Sequence, residues 1–235
     1  MISVCMATYN GERFIKQQID SILCQLNPED ELIISDDGST DETLKIIESY
    51  HESRIKVFHH EKKNNISNHK KATLNFENAL LNAKGDFIFL SDQDDIWLPN
   101  KVQVCVNELN TSDFVVHNMT IIDQNNYTLE KLRFEKDINP LPKNWLSILV
   151  KMNLRGCTMA FRRECLNYLL PIPYNIVAHD YWISCMCIKK GLCKYIEAPL
   201  ILYREHFDSV SYKKKTSLFY KLNYRLELFF NVLIK

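Results

Sequence analysis

Short apolar runs alternate with helical patterns along the first 100 residues. Residues 2–7 and 32–34 are apolar runs closed by polar residues, which is typical of buried strands. Between them, residues 12–26 carry apolar side chains three and four positions apart, which predicts a helix that ends before Pro28. Strands that alternate with helices predict an α/β fold with a doubly wound, mostly parallel sheet. The alternation continues with a helix over 40–50, a strand over 55–59, a helix over 73–83 and a strand over 86–90.

The pattern is less regular after residue 100. Since no repeat and no linker interrupts the chain, we expect one domain over residues 1–211, whose second half extends the same sheet. The helical stretches there are 101–109, 145–152 and 179–190, the strand-like stretches are 114–122, 158–161 and 195–203, and a polar, proline-containing connection covers 123–143.

Residues 212–235 form a segment of different character. They hold six basic side chains and one acidic side chain. A basic amphipathic helix is typical of peripheral contact with a membrane surface. Two other roles stay open, namely a cover over the domain's own core and a contact between the copies of a homodimer. The apolar stripe that predicts this C-terminal helix consists of Leu218, Leu222, Leu226, Phe229 and Leu233, with Phe219 and Phe230 beside them.

The charges of the chain cancel as a whole but not locally. The 235 residues carry 29 Lys and Arg against 29 Asp and Glu, and 46% of the residues are apolar, as in an ordinary globular protein. Because the tail is basic, residues 1–211 hold 23 basic and 28 acidic side chains. A domain without excess positive charge matches the phosphates of DNA or RNA poorly, so nucleic acid is excluded as a partner. Five scattered glycines also exclude a G-x-G-x-x-G fingerprint and a phosphate-binding P-loop.

The N-terminus and the cysteines indicate the compartment of the protein. The N-terminus lacks the basic region of a signal peptide, and no window approaches the roughly 18 apolar residues of a membrane span. The eight cysteines include no C-x-x-C pair, which favours buried apolar thiols over a zinc site. We therefore expect a cytoplasmic protein, with peripheral contact at the inner face of the cytoplasmic membrane if the tail supplies it.

Polar, acid-rich turns follow three of the predicted strands, at residues 8–12, 36–39 and 91–95. The carboxyl ends of parallel strands meet at one edge of a sheet, and ligands bind outside that edge. Asp92, Asp94 and Asp95 lie within four residues, and like charges held so close together favour a bound cation. Oxygen ligands suit Mg²⁺ or Mn²⁺. The alternatives are a solvated acidic turn after the fourth strand and a turn before a capped helix after the second.

An ordered set of motifs gives the chain a family resemblance. It is similar to the family 2 glycosyltransferases with the nucleotide-diphospho-sugar transferase (GT-A) fold, and most of all to their bacterial rhamnosyltransferase-like branch. The resemblance covers residues 1–211 and implies a nucleotide-binding half over 1–100 and an acceptor half over 101–211. The matching segments are residues 7–11, 35–41, 85–99, 156–161, 179–182 and 203–206.

The resemblance implies roles for individual residues. Asp92-Gln93-Asp94 corresponds to a D-x-D element, in which Asp94 contacts Mn²⁺ or Mg²⁺ and Asp92 contacts the metal or the ribose. His206 would be a further metal ligand, although the Phe207-Asp208 that follows departs from the family pattern. Asp180 would be the catalytic base. The nucleotide-binding residues would be Thr8, Tyr9, Asn10, Asp36, Asp37, Asn75 and Asp92.

Some of these residues also have plainer interpretations. Asp180 has the character of an ordinary helix N-cap, and Asn75 that of a buried helix contact. Arg155 either reaches a diphosphate or lies on the surface. We interpret Lys101 as a solvated helix residue and Trp97 as part of the turn after the acidic loop.

The activity that the resemblance implies is inverting, metal-dependent glycosyl transfer. The donor would be a nucleoside diphosphate sugar, either dTDP-rhamnose or a UDP-sugar. The acceptor would be a hydroxyl of a surface polysaccharide or lipopolysaccharide precursor, as a glycan or a lipid-linked glycan. The alternative is a non-catalytic nucleotide-sugar or glycan-binding module, which would bind the donor without turnover.

Overall fold

A computed structural model of the chain describes residues 1–60, 65–130, 141–150, 154–207 and 217–235. Parts of two predictions lie outside these residues. They are the end of the helix predicted over 145–152 and residues 131–140 of the connection predicted over 123–143. The predicted boundary between the domain and its tail, at residues 211 and 212, also lies outside them.

The elements follow the predicted alternation of strands and helices. The strands are β1 Ile2–Thr8, β2 Glu31–Asp36, β3 Ile55–His59, β4 Phe87–Asp92, β5 Ile96–Trp97, β6 Phe114–Asp123, β7 Thr128–Glu130, β8 Met159–Arg162 and β9 Cys193–Glu205. The helices are α1 Ile15–Leu23, α2 Thr43–Glu48, α3 Asn68–Leu81, α4 Lys101–Leu109, α5 Leu146–Val150, α6 Leu166–Leu169, α7 His179–Lys190 and α8 Leu218–Ile234.

All these strands join one sheet in the order β3-β2-β1-β4-β8-β6-β9-β5, and β7 pairs with β6. The half formed by the first four strands is parallel throughout, as predicted. In the other half, β8 runs antiparallel to both β4 and β6, while β6 and β9 are parallel to each other. Consequently β9 runs in the same direction as β1, and its carboxyl end reaches the same edge of the sheet.

The strand register brings the predicted polar turns side by side at that edge. Thr8 at the end of β1 is paired with Asp36 at the end of β2, and Ala7 is paired with Asp92 at the end of β4. Because β9 ends at the same edge, His206 arrives beside them. The segment before the antiparallel β8, which includes Arg155, starts there as well. One edge therefore collects polar groups from both halves of the chain.

The sheet separates two apolar clusters. Side chains alternate along each strand, so Val4 and Met6 of β1 belong to one cluster and Cys5 belongs to the other. Six of the eight cysteines are buried and all eight are free thiols, which agrees with their prediction as apolar core residues.

Three local predictions differ from the structure. Helix α3 begins at Asn68 rather than 73, because the Ser67 hydroxyl caps it by accepting from the Lys70 amide at 3.2 Å. The short strands β5 and β7 lie in segments that were predicted as a turn and a connection, since two or three residues show no periodicity.

Lys101 is not the solvated helix residue that the sequence suggested. Its side chain is fully buried, where Nζ donates to the Cys157 carbonyl at 2.8 Å and lies 4.1 Å from the centre of the Trp97 ring. Burial lowers the pKa of this amine to about 8, because desolvation disfavours the charged form. Lys101 thus ties α4 to the segment that carries Cys157, beneath the edge where the polar turns meet.

Helix α8 packs on the domain's own core, but not through most of the predicted stripe. The buried residues are Leu228 and Val232, one turn apart, which face α5 and α7. Most of the predicted apolar stripe is exposed, apart from Phe229, whose ring centre lies 5.7 Å from that of Trp145. Six residues of the stripe are at least half exposed, namely Leu218, Phe219, Leu222, Leu226, Phe230 and Leu233. No described helix combines the length and apolar character that crossing a bilayer requires.

Candidate active site

A cleft of about 970 Å³ opens at the carboxyl edge of the sheet. Its walls come from the segments that follow β1, β4 and β9, from the first turn of α7 and from the first turns of α8. This volume is at the upper end of the usual range for small-molecule sites. Of the predicted site residues, Asp36 alone does not line the cleft.

Asp36 supports the cleft from below. Its carboxylate accepts hydrogen bonds from the amides of Gly38 and Ser39, and from the hydroxyls of Thr8 and Ser39, at distances from 2.5 to 3.1 Å. The residue is fully buried and its oxygens are occupied. The structure therefore does not place Asp36 in the cleft wall, where its predicted contact with the nucleotide would be made, and its carboxylate instead fixes the turn after β2.

Asp37 and Asn75 do face the cleft. Asp37 is 3.2 Å from Nδ1 of His60, which orients its carboxylate. Asn75 donates through Nδ2 to the Thr8 carbonyl at 3.1 Å. Among the residues that the structure describes, its Oδ1 is buried without a hydrogen-bond partner. An unpaired buried acceptor is costly, and a ligand donor would satisfy it.

The turn after β1 is locked to the acidic loop. Gln93 accepts from the Tyr9 amide at 2.9 Å and donates to the Tyr9 carbonyl at 3.0 Å. A Cβ at residue 11 would lie 2.4 Å from Oε1 of Gln93, so a larger residue there would displace the Gln93 amide from its bonds to Tyr9. Asn10 has a left-handed backbone with φ of 47°, and its Oδ1 accepts from the Thr40 amide at 2.9 Å. Tyr9 and Asn10 thus line the cleft in fixed positions.

The acidic loop divides its carboxylates between the cleft and the interior. Asp92 and Asp94 line the cleft, whereas Asp95 is buried and accepts from the Arg204 amide at 2.9 Å. Burial raises the pKa of Asp92, and the carboxylates of Asp94 and Asp180 raise it further. Each of these effects disfavours the ionised form, so a cation in the cleft would stabilise Asp92 as a carboxylate.

Arg204 holds the acidic loop in place from β9. The side chain is buried, and its Nε donates to the Asp94 carbonyl at 2.7 Å. The other guanidinium nitrogens donate to the Asp123 carbonyl, to Asn126 Oδ1 and to Gln17 Oε1 at 2.6 to 3.2 Å. The acidic loop, β6 and α1 therefore share one buried cation.

His206 lies next to Asp94, as its predicted role requires. Its Nε2 is 2.7 Å from Asp94 Oδ2, and its ring packs 5.0 Å from the ring of Phe14. The side chains of His206 and Asp94 line the cleft. The imidazole nitrogen and the carboxylate oxygen are thus adjacent and could serve as ligands of one metal ion.

Asp180 is in the first turn of α7 and is not its N-cap, which is Ala178. The carboxylate accepts from the Tyr181 amide at 2.9 Å. Burial raises the pKa of Asp180 to about 6, while the positive charge of Arg155 opposes that rise. Arg155 itself lines the cleft, with its guanidinium 5.7 Å from the centre of the Tyr203 ring, so its surface interpretation is wrong.

A second group of three side chains could hold a metal in the described part of the chain. It consists of Asp92, Asp95 and the Cys157 thiol, whose ligand atoms lie within 4.8 Å of one another. Burial and the two carboxylates hold the pKa of Cys157 well above its usual value. A protonated thiol is a poor ligand for Mg²⁺ or Mn²⁺, which prefer oxygen.

Several residues that line the cleft were not among the predicted site residues. Tyr181 of α7 and Tyr220, Lys221 and Tyr224 of α8 line the cleft. The spacing of Tyr220 and Tyr224 would have placed them on one face of the tail helix, away from the stripe, but nothing in the sequence shows which side of that helix meets the domain.

Comparison with known proteins gives a family match. The family model described as Glycosyl transferase family 2 matches residues 3–169. The chain is 29% identical to a Nostoc glycosyltransferase, over 87% of this chain and 65% of the relative, so it spans about two thirds of that relative's length. It is 27% identical to an Escherichia coli protein described as UDP-Glc:alpha-D-GlcNAc-diphosphoundecaprenol beta-1,3-glucosyltransferase WfgD, over 91% of this chain and 81% of that one. It is also 27% identical to the Shigella flexneri dTDP-rhamnosyl transferase RfbG, over 89% and 76% of the two chains.

Solved structures show the same fold. S. aureus TarS 1-349 in complex with UDP-GlcNAc superposes with a TM-score of 0.73 at 19% identity, covering 99% of this chain and 66% of TarS. The mannosyltransferase PcManGT from Pyrobaculum calidifontis, in complex with GDP-Man and Mn²⁺, gives a TM-score of 0.62 at 21% identity, over 90% and 58% of the chains. These likenesses confirm the predicted GT-A fold.

Removing the Arg204 guanidinium should destabilise the protein. In Arg204→Met, four acceptors around the acidic loop lose their donor and the packing of a buried side chain changes, so we expect the free energy of unfolding to fall by about 2–3 kcal/mol. Urea denaturation measures the change. The control is Arg163→Met, whose exposed guanidinium donates to the Lys84 carbonyl at 2.9 Å and should matter by less than about 0.5 kcal/mol. Equal losses in the two variants would contradict this role of Arg204.

Proposed function

Because the chain belongs to glycosyl transferase family 2, we propose that it transfers a sugar from a nucleoside diphosphate donor to a hydroxyl of a glycan. One observation carries the proposal. The cleft that contains Asp92, Asp94 and His206 also contains Asp180. The Asp180 carboxylate accepts from the backbone amide of Tyr181. A charge-binding cluster and a candidate base in one cleft are what transfer from a diphosphate leaving group requires.

The residues present fit a divalent cation. Asp94 and His206 are adjacent ligand groups, and burial together with the carboxylates of Asp94 and Asp180 raises the pKa of Asp92, so a cation would stabilise its ionised form. We assign the metal to Asp94, His206 and Asp92, and the preference for oxygen ligands favours Mn²⁺ or Mg²⁺. When bound, the cation would act as a Lewis acid that neutralises charge on the departing diphosphate.

The turns after β1 and β2 are assigned to the nucleoside. Asp37 can accept from a pyrimidine N–H or a ribose hydroxyl, and Asn75 Oδ1 is a buried acceptor that awaits a donor. Thr8 contributes through position rather than contact, because its hydroxyl donates to Asp36 and its carbonyl accepts from Asn75. Tyr9 and Asn10 complete this wall. Arg155, near Asp180, supplies positive charge for a diphosphate.

Asp180 is assigned as the base. A carboxylate on the acceptor side takes the proton of the attacking hydroxyl as the new bond to the sugar carbon forms and the bond to the diphosphate breaks. This single displacement inverts the configuration at that carbon. The pKa of about 6 keeps Asp180 ionised at neutral pH while making it a stronger base than an ordinary aspartate.

The relatives suggest classes of donor and acceptor. WfgD is described with a UDP-sugar donor and a lipid diphosphate acceptor, and RfbG with a dTDP-rhamnosyl donor. We propose a UDP-sugar or dTDP-rhamnose as the donor here, and a lipid-linked precursor of a surface polysaccharide or lipopolysaccharide as the acceptor. We place the reaction in the cytoplasm, since six buried free thiols suit a reducing compartment.

The outward face of α8 is proposed to rest on an anionic membrane surface. Six large apolar side chains on this face are at least half exposed, and soluble surfaces rarely carry such a continuous patch. Residues 212–235 hold six basic side chains and one acidic one, which complements anionic headgroups rather than a second copy of the same basic segment. A helix on the membrane would keep the cleft beside a lipid-linked acceptor.

Two substitutions separate an enzyme from a binding module. We expect Asp180→Asn to lower the rate of transfer at least 100-fold while the affinity for UDP with Mn²⁺ stays unchanged, because the base is lost but the donor site is not. Asp94→Asn should weaken the Mn²⁺-dependent binding of UDP, since the proposed metal loses a ligand. Calorimetry and release of nucleoside diphosphate from UDP-glucose and dTDP-rhamnose measure both effects.

The matched control is Asp20→Asn, an exposed aspartate that pairs with Lys16 at 2.9 Å and should leave both readouts intact. A wild-type protein that binds the donor and releases no product with any acceptor would identify a binding module instead. Full activity in Asp180→Asn would refute the assignment of the base.

The pH dependence of the transfer rate should reflect the ionisation of Asp180. The residue accepts a proton only when ionised, so kcat should fall about tenfold per pH unit below about pH 6 and be level just above it. The charge of Arg155 lowers this pKa, so Arg155→Met should move the acid limb to higher pH, whereas Arg155→Lys should not. Profiles at saturating donor and fixed Mn²⁺ measure the limb. A limb that does not move in Arg155→Met would count against Asp180.

Membrane contact is tested with the pair Leu226→Ser and Phe230→Ser. The double variant should lose cosedimentation with vesicles of phosphatidylcholine and phosphatidylglycerol, to which the wild type binds, while vesicles of phosphatidylcholine alone bind neither. The control is Leu81→Ser, an equally exposed leucine on α3. If the double variant binds vesicles normally but changes from dimer to monomer, the face is a contact between copies of the chain.

A further inference from the structure

The cleft wall opposite the assigned nucleoside turns carries a cluster of tyrosines. Tyr181 of α7 and Tyr224 of α8 have ring centres 6.3 Å apart with planes inclined by 14°. Tyr220, one turn before Tyr224, meets it edge-on with ring centres 5.8 Å apart. All three line the same cleft as Asp180, and so does Lys221.

Core packing does not account for the two tyrosines of α8. The core contacts of α8 are Leu228 and Val232, which lie one and two turns beyond Tyr224. The first two turns of the helix contribute no buried residue, and Tyr220 is 37% exposed even though it lines the cleft. Tyr181 packs against the core, whereas the rings of Tyr220 and Tyr224 are held in the cleft by aromatic contacts and are available to a ligand.

The position of the cluster points to the acceptor. Tyr181 directly follows Asp180, and its amide donates to the Asp180 carboxylate at 2.9 Å. A group that rests against Tyr181 is therefore within reach of the assigned base. The neighbouring Trp182 is fully buried and donates to the Leu169 carbonyl at 2.9 Å, so it takes no part in this surface.

The chemistry of the cluster suits a sugar that carries phosphate. A tyrosine offers a flat apolar face to the C–H face of a sugar ring and a hydroxyl to its polar rim. Lys221, between the two tyrosines of α8 in sequence, presents a point charge of the kind that binds phosphate. The cluster thus combines recognition of a glycosyl ring with recognition of an anion.

We propose that Tyr181, Tyr220 and Tyr224 form an acceptor subsite for a glycosyl ring, with Lys221 binding a phosphate or diphosphate on that acceptor. This inference rests on the proposed function and deepens it by assigning the acceptor side of the cleft. Helix α8 thereby serves the reaction with one face, while its opposite, apolar face is turned away from the cleft.

The experiment measures acceptor binding without transfer. The wild-type chain is saturated with UDP and Mn²⁺ and titrated by calorimetry with two probes. One is an N-acetylglucosaminyl diphosphate with a short alkyl chain, and the other is the neutral N-acetylglucosaminyl alkyl glycoside. The affinity for UDP is measured in every variant, and it reports the donor site separately.

The expected affinities distinguish the contribution of the tyrosine rings from that of the Lys221 charge. Tyr220→Ala and Tyr224→Ala should each weaken both probes about fivefold to tenfold, because an aromatic contact is lost. Lys221→Met should weaken the diphosphate probe at least tenfold and the neutral probe little, because only the anion loses its partner. None of the three should change the affinity for UDP. Tyr224→Phe, which keeps the ring, should retain most of the binding.

The matched control is Leu222→Ala, on the outward face of the same turn, which should leave both probes and UDP unchanged. Unchanged probe affinities in Tyr220→Ala and Tyr224→Ala would overturn the subsite, as would a wild-type chain that binds UDP and neither probe. A wild-type chain that fails to bind UDP as well would instead contradict the proposed function. Thermal unfolding of each variant confirms that α8 remains docked.

Discussion

Repulsion between carboxylates at one edge of the sheet is the constraint on which this site depends. The register of β1, β2 and β4 places Thr8, Asp36 and Asp92 side by side, and the acidic loop adds two further aspartates. Such crowding is unfavourable unless each charge finds hydrogen bonds or a cation. Much of the local structure meets this need, with amides and hydroxyls around Asp36 and the Arg204 guanidinium under the acidic loop.

The compensation divides the aspartates into two groups. Asp36 and Asp95 are buried and accept hydrogen bonds from the protein, so they fix the turns, although Oδ2 of Asp95 has no hydrogen-bond partner among the described residues. Asp37, Asp92, Asp94 and Asp180 face the cleft, where solvent or ligands must balance them. Burial raises the pKa of Asp92 and Asp180 in this second group, and it raises the pKa of Asp95 in the first group as well. The same side chain thus acts as a structural acceptor or a chemical group according to how many donors surround it.

This division of the aspartates explains how much of the site could be predicted from the sequence. The periodicity of the first half predicts its strands and helices, and the rule for carboxyl ends of strands predicts where Asp37 and Asp94 would meet. The sequence could not distinguish the roles of Asp36 and Asp37, because folding brings the hydroxyl donors of Thr8 and Ser39 to Asp36. Lys101 was misjudged for the same reason, since its acceptor is 56 residues away. The orientation of α8 also depends on distant partners, which no local pattern encodes.

Helix α8 joins two tasks that its amphipathic pattern alone does not reveal. Its buried residues are Leu228 and Val232, and Phe229 packs against Trp145, so the second half of the helix fixes it on the domain. One face adds tyrosines to the cleft and the other exposes the apolar stripe. Because these faces belong to one rigid helix of 17 residues, a surface that orients the stripe also orients the tyrosine wall. An acceptor held at that surface would then enter the cleft from a fixed direction, which reduces the orientational freedom lost when it reaches Asp180.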